Sequence, residues 1–157
     1  MFRIECLTLT TGIMLDTNIF NKVLDGQVCI DIFSKSSIYV THIQHDELKA
    51  TNNVLRRKQL LGIFHLIEKK KIDTESAVFD VSRFDEAKFS DDSLYEQIKK
   101  ELDAVKKKPN NIQDALIAET SIKNNLILIT TDGILQEIVC RLNGGAMSLS
   151  EFCSKYG

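Results

Sequence analysis

The chain has 157 residues and a mass of 17.8 kDa, which is enough for one globular domain and short for two. Hydrophobic residues make up 43% of it and charged residues 27%, proportions that exclude wholesale disorder. The 20 basic against 22 acidic residues leave a net charge of −2, which argues against a nucleic-acid partner because such binders are usually basic. That argument holds only if the charges are spread evenly along the chain.

The cysteines and the apolar segments indicate the compartment. The four cysteines at positions 6, 29, 140 and 153 form no CxxC pair, so they predict neither a zinc site nor a thioredoxin-like motif. We expect them to be small buried residues of an intracellular domain. The N-terminal segment, interrupted by Glu5, lacks the apolar core of a signal peptide, and no run approaches the roughly 20 apolar residues of a membrane span. We therefore expect a cytoplasmic protein without a membrane partner.

Apolar and β-branched runs in the first half of the chain predict three strands, with helices between them. The strands are Ile13–Leu15, Ser37–Thr41 and Ala77–Val81. The helices are Asn18–Leu24, a short one at Val28–Phe33 and a long one at Ile43–Lys70, with a break expected near Asn52 and Asn53 or near Gly62.

The second half continues the alternation of helices and strands. A charged helical region at Arg83–Lys107 is stopped by Pro109, because proline cannot continue a helix. The elements that follow are a helix at Asn111–Asn124, a strand at Leu126–Thr130, a helix at Ile134–Leu142, a short strand at Ala146–Leu149 and a terminal helix. This pattern predicts a single α/β domain over residues 1–157, with a central, mainly parallel sheet covered by helices on both faces.

Two acidic residues follow predicted strands directly. Asp16 comes after the first strand and Asp132 after the strand Leu126–Thr130. Ligands of open parallel sheets bind at the carboxyl ends of the strands, so both carboxylates are expected at the ligand-binding edge.

Each acidic candidate also has an ordinary structural explanation. Asp16 and Asp132 precede helices and could be N-caps. Asp114 lies three residues after Asn111, where it could complete a capping box. Glu47 lies among charged neighbours, where a solvated glutamate is the usual case.

Taken together, the four acids and their neighbours form an ordered set of motifs. The set is Leu15-Asp16-Thr17-Asn18-Ile19, Glu47-Leu48 in the helix after Thr41, Asp114-Ala115-Leu116-Ile117-Ala118 and Ile129-Thr130-Thr131-Asp132. In order, spacing and flanking residues it resembles the PIN-domain family of nucleases over nearly the whole chain. Small stand-alone members of that family resemble the VapC-type toxins.

The resemblance implies a three-layer α/β/α sandwich whose four acids, Asp16, Glu47, Asp114 and Asp132, converge on a catalytic pocket. Asp16, Asp114 and Asp132 are expected to hold Mg²⁺ or Mn²⁺, and Glu47 to assist the metal or orient the attacking water. Asn18 is expected to orient Asp16 by hydrogen bonding, and Thr130 matches the hydroxyl position of the family's Thr-x-Asp motif, where it is expected to support the metal ligands. The chemistry is consistent, because carboxylates crowded together need a cation to stay ionised and hard cations prefer oxygen ligands. Gly133-Ile134-Leu135 stands where many members carry a further acid, which weakens the case for a second metal ion.

The basic residues are clustered, and residues 73–96 between the clusters are mainly acidic. The clusters are predicted to contact the phosphate backbone of a nucleic acid. The candidates are Arg56, Arg57, Lys58, Lys106, Lys107 and Lys108. The alternative is an ordinary solvated helix surface. If the four pocket acids are set aside, 18 acids remain against 20 bases, so the net charge no longer argues against nucleic acid.

The predicted function is that of a metal-dependent endoribonuclease, the toxin of a type II toxin–antitoxin pair. RNA, an antitoxin protein and a second copy of the chain are the expected partners. The alternatives are a PIN nuclease of RNA processing or defence, and a non-catalytic PIN-like module that binds RNA or protein. A phosphatase or a phospho-acceptor regulator at Asp16 is disfavoured, because Asn18 stands where the phosphatase would carry a second aspartate.

Overall fold

The computed structural model describes residues 12–76 and 94–157. The described strands are β1 Ile13–Leu15, β2 Ile38–Val40, β3 Lys70–Lys71, β4 Ile127–Thr130 and β5 Gly145–Ser148. The described α-helices are α1 Thr17–Leu24, α2 His42–Lys49, α3 Val54–Leu66, α4 Leu94–Val105, α5 Asn111–Lys123, α6 Gly133–Arg141 and α7 Leu149–Tyr156. A 3₁₀ helix spans Ile30–Phe33. None of these helices is both long enough and apolar enough to cross a membrane.

The five described strands form one parallel sheet in the order β3-β2-β1-β4-β5. β1 is central, and it pairs with β4 from Ile13–Ile127 to Leu15–Ile129. The chain builds outward from β1 first through β2 and β3 and later through β4 and β5, so the strand order reverses between β1 and β4. The carboxyl edge at such a reversal leaves a crevice, and Asp16 follows β1 at that place.

Helices cover both faces of the sheet, as the alternating strands and helices predicted. Met14 belongs to one apolar cluster, whereas Ile13 and Leu15 belong to the other, because successive strand residues point to opposite faces. The Met14 cluster includes Ile98 of α4, Leu116 of α5 and Val139 of α6. The other cluster includes Phe20 of α1, Leu60 of α3 and Phe152 of α7. The fold is therefore an α/β/α sandwich around a parallel sheet.

The long helix predicted over Ile43–Lys70 is two helices. The break lies at residues 50–53, at the first of the two places expected, because the Asn53 side chain caps α3 by accepting a hydrogen bond from the backbone N–H of Arg56 at 2.9 Å. Gly62 lies inside α3. The edge strand β3 is an addition to the prediction, and the strand predicted at Ala77–Val81 lies outside the described residues.

The expectation of buried cysteines is wrong for two of the three described cysteines. Cys29 and Cys140 are exposed, and Cys153 is half-buried. Cys29 immediately precedes the 3₁₀ helix, and Cys140 lies on the exposed side of α6.

Candidate active site

The four predicted acids line one pocket of about 230 Å³ at the carboxyl edge of the sheet. Asp16 follows β1, Glu47 lies on α2, Asp114 lies in the first turn of α5 and Asp132 follows β4. Residues of helices and of the turns next to them complete the wall: Thr17, Asn18, Asn21, Leu48, Thr51, Lys108 and Asn110. The fold therefore brings together acids that are up to 116 residues apart in the chain.

Asp16 is buried and held by two hydrogen bonds. The backbone N–H of Thr17 donates to Oδ1 at 2.8 Å, and the Thr130 hydroxyl donates to Oδ2 at 2.8 Å. Burial raises the pKa of Asp16, the two hydrogen bonds oppose this rise, and the charge of Asp132 adds to it. Asn18 lies exposed on the pocket wall, and the described hydrogen bonds to Asp16 come from Thr17 and Thr130 rather than from Asn18.

Glu47 is fixed by a residue that the sequence analysis missed. The Thr17 hydroxyl donates a 2.6 Å hydrogen bond to Glu47 Oε1, which joins the end of β1 to α2. Burial and, to a smaller extent, the charge of Asp16 raise the pKa of Glu47 to about 7, against the lowering effect of the Thr17 hydrogen bond. The first motif already contains Thr17 directly after Asp16, and this adjacency could have pointed to a role for Thr17. The sequence analysis gave a role only to the aspartate of that pair.

Gln44 fixes the position of α2 relative to β1. Its Oε1 accepts hydrogen bonds from the backbone N–H and the hydroxyl of Thr41, in the capping box that begins the helix. Its Nε2 donates to the carbonyl oxygen of Leu15 at 2.9 Å, one residue before Asp16. Glu47, three residues further along α2, is thereby held in register with the first strand.

Asp132 caps a helix and also lines the pocket. As the N-cap of α6, its Oδ1 accepts from the backbone N–H groups of Ile134 at 3.0 Å and Leu135 at 3.3 Å. Its own N–H donates to the Thr130 hydroxyl at 3.0 Å, so Thr130 links Asp132 to Asp16. The N-cap interpretation of Asp132 is confirmed, and the same side chain also lines the pocket.

Asp114 differs from the other three acids because no described residue hydrogen-bonds or ion-pairs with its carboxylate, although only 8% of the residue is exposed. The capping-box explanation is wrong, because Asn110 rather than Asn111 is the N-cap of α5 and makes no side-chain cap. Burial and then the charges of Asp16, Glu47 and Asp132 raise the pKa of Asp114 to about 8, with Lys108 acting in the opposite direction. Asp114 is thus a buried carboxylate whose structural partners are missing among the described residues.

The donor set suits a hard divalent cation. Four carboxylates around one small polar pocket offer only oxygen ligands, and burial together with the neighbouring negative charges raises the pKa values of Glu47 and Asp114. Within residues 12–76 and 94–157, no three His, Cys, Asp or Glu side chains are grouped tightly enough to hold a metal ion as they stand. Closer approach of the carboxylates would be needed to chelate an ion.

The predicted nucleic-acid contacts fall into two groups. Lys108 lines the pocket, and Lys106 and Lys107 lie exposed just before it. Arg56, by contrast, pairs with Asp25, and Arg57 Nη1 donates to the carbonyl oxygen of Thr51 at 3.2 Å. The remaining member of that run, Lys58, is exposed. The two arginines therefore hold the structure around the pocket, whereas Lys108 contributes positive charge to the pocket itself.

Comparison with known proteins supports the architecture. The chain is similar to a chain in the crystal structure of VapBC2 from Rickettsia felis bound to a DNA fragment from their promoter, with 21% identity over 87% of this chain and 97% of that chain and a TM-score of 0.55. It is also similar to a domain of a functionally unknown protein from Methanocaldococcus jannaschii, with 15% identity over 88% of this chain and 91% of that domain and a TM-score of 0.51. No protein-family model matches the chain, and no curated protein matches it significantly. At these identities the similarity establishes the fold.

Proposed function

We propose that the protein is a metal-dependent endoribonuclease that hydrolyses RNA phosphodiester bonds. The observation that carries the proposal is the carboxylate of Asp114, which is nearly buried, lacks a described hydrogen-bond partner and faces three further carboxylates. A carboxylate that is buried without a hydrogen-bond donor and beside other negative charges destabilises the folded state, and such an arrangement is typical of a functional site. Asp16, Asp114 and Asp132 would hold Mg²⁺ or Mn²⁺.

When bound, such an ion would polarise the scissile phosphate and acidify a water molecule. The chain's own residues have separate tasks. Thr17 and Thr130 hold Asp16, and the N-terminus of α6 holds Asp132. Because Thr17 occupies Glu47 Oε1, the other carboxylate oxygen of Glu47 remains to orient the attacking water and to accept its proton.

Lys108 would meet the substrate at the same pocket. A phosphodiester approaching four carboxylates is repelled, and a cation on the pocket wall offsets that repulsion. Lys106 and Lys107 extend the positive charge away from the pocket along the turn before α5. These three lysines are therefore proposed to contact the RNA backbone.

The biological role we favour is that of a toxin restrained by an antitoxin. This rests on the resemblance to VapC-type toxins and on the VapBC2 structure, of whose matching chain 97% is covered. A second copy of the chain is a further proposed partner. All four acids converge on one pocket, which disfavours a non-catalytic binding module.

The test is RNA cleavage by the purified, metal-free chain after addition of Mg²⁺ or Mn²⁺. The wild type should cleave only with the cation, and Asp114→Asn should be slower by about 10²–10³-fold, the usual cost of losing a group that stabilises the transition state. Glu137→Gln, which removes an exposed acid of α6, is the matched control and should cleave like the wild type. Equal cleavage by Asp114→Asn and wild type would refute the proposed function.

A further inference from the structure

Asn21 lines the pocket, and a residue of another helix orients its side chain. It lies on α1, one turn after Asn18, and both line the carboxylate pocket. Arg56 Nη2, on α3, donates a 2.9 Å hydrogen bond to Asn21 Oδ1. The two residues are 35 positions apart, so α3 determines how α1 presents this amide to the pocket.

The chemistry of Arg56 fixes which end of the amide it contacts. A guanidinium has only donors, so it must face the amide oxygen of Asn21 rather than the amide NH₂. The NH₂ group of Asn21 is then left to donate elsewhere, and no described residue accepts from it. A side chain on the pocket wall with its oxygen already engaged therefore presents hydrogen-bond donors to a ligand.

Arg56 is itself held firmly. Its Nη1 lies 3.0 Å from Asp25 Oδ1 and its Nη2 lies 3.2 Å from Asp25 Oδ2, in the two-pronged geometry that guanidinium and carboxylate groups favour. Its backbone N–H is bound by the N-cap Asn53. Both terminal nitrogens of Arg56 are engaged and its charge is offset by Asp25, so Arg56 is poorly placed to bind a phosphate directly.

We propose that Asn21 donates a hydrogen bond to a backbone oxygen of the RNA strand, and that Arg56 is a positioning residue acting through Asn21. This inference rests on the proposed ribonuclease function. Asn21 belongs to a helix packed on one face of the sheet, whereas Lys108 precedes α5 on the other face. An RNA backbone contacting both would cross the carboxylate pocket between the two helical layers.

The experiment measures RNA affinity at several salt concentrations. A fluorescent single-stranded RNA is titrated with each variant in an Asp114→Asn background, where it is not cleaved, and kcat and KM are measured in the cleaving background. Asn21→Ala should bind about tenfold more weakly, the cost of one hydrogen bond to a charged group, with a matching rise in KM. The isosteric Asn21→Asp should bind more weakly still, because its added negative charge faces the RNA phosphates. Asn21→Ala changes no charge, so it should keep the wild-type salt dependence.

Arg56→Lys separates positioning from direct contact, because it keeps the charge and loses the two-pronged geometry. Arg56→Lys should weaken RNA binding when Asn21 is present. In a chain that already carries Asn21→Ala, it should cause no further loss of affinity. Asp25→Asn loosens the same arginine from its other side and should act in the same way. Melting temperatures establish that each variant is folded.

Two lysine variants calibrate the salt measurement. Lys108→Ala removes a proposed phosphate contact and should reduce the slope of log K against log salt by about 0.7. Lys35→Ala removes an exposed charge at the opposite edge of the sheet and should leave affinity and slope unchanged.

The inference is overturned if Asn21→Ala binds like the wild type. It is also overturned if Arg56→Lys weakens binding equally with and without Asn21, or if Arg56→Ala lowers the salt slope as Lys108→Ala does. A wild type that neither binds nor cleaves RNA would overturn the proposed function and this inference together. That failure appears in the wild type, whereas failure of the inference alone appears only in the variants of α1 and α3.

Discussion

Helix α5 carries two buried carboxylates, one turn and a half apart, in opposite circumstances. Glu119 is fully buried, and one of its two oxygens, Oε2, accepts from the backbone N–H of Tyr95 at 3.1 Å and lies 3.4 Å from Lys123 Nζ, whereas no described residue donates to Oε1. Asp114 is nearly as buried, yet it has no described donor and faces three other carboxylates. Burial of an acidic side chain therefore does not by itself mark a functional site. What distinguishes the two is whether the fold supplies the acid with partners.

The largest expected difference between the two acids is in catalysis. With Asp114→Asn, kcat/KM for RNA should fall by about 10²–10³-fold, because the substitution preserves shape and removes a proposed metal ligand. Glu119→Gln should leave kcat/KM per folded molecule near the wild-type value. Initial rates at matched concentrations of folded protein provide the measurement, and a comparable loss in Glu119→Gln would remove the contrast.

The opposite ranking is expected for stability. Glu119→Ala should lower the free energy of unfolding by about 3 kcal/mol, because it leaves the buried N–H of Tyr95 without its acceptor and removes the ion pair of Glu119 with Lys123. Asp114→Asn should be neutral or stabilising in metal-free protein, because it removes like-charge repulsion. Urea unfolding of the two variants beside the wild type decides this, and destabilisation of both to the same degree would contradict it.

The pH dependence of metal-free stability should follow the pKa of Asp114. Because its pKa is raised from 3.8 to about 8, the folded state binds more protons than the unfolded state between these values. The contribution of Asp114 to stability should be greatest near pH 4 and fall as the pH rises toward 8, by on the order of 5 kcal/mol, and Glu47 acts in the same direction up to about pH 7. Asp114→Asn should flatten the profile measured by thermal unfolding in a chelator. An equally steep profile in that variant would show that other groups are responsible.

The smallest expected effect concerns Thr17. Thr17→Val removes the hydroxyl that holds Glu47 and should reduce kcat by about tenfold, whereas Thr17→Ser restores the hydroxyl and should recover most of the loss. Since Thr17 touches Glu47 rather than the proposed substrate, KM should change little. A Thr17→Ser enzyme as slow as Thr17→Val would show that the hydroxyl is not what matters.

The sequence predicted the features that local patterns determine. The apolar runs located β1, β2, β4 and β5, and strand alternation predicted the parallel sheet and the edge at which Asp16 and Asp132 lie. The two N-caps were among the explanations weighed for these aspartates.

Contacts between distant residues could not be predicted in this way. The bonds from Thr17 to Glu47, from Arg56 to Asn21 and from Tyr95 to Glu119 join residues 24 to 35 positions apart, and each depends on how two helices pack. For the same reason the arginine run in α3 was indistinguishable in sequence from a nucleic-acid contact, since its ion pair with Asp25 forms only in the folded chain.

We propose that Asp114 has no partner among the described residues because its partner is a divalent cation. Calorimetric titration of Mn²⁺ into metal-free protein at pH 8 tests it most directly, with wild type, Asp114→Asn and Glu119→Gln compared. We expect saturable binding by the wild type and by Glu119→Gln, and binding weakened by at least about tenfold in Asp114→Asn. Equal binding by Asp114→Asn and the wild type, or no binding by the wild type, would contradict it.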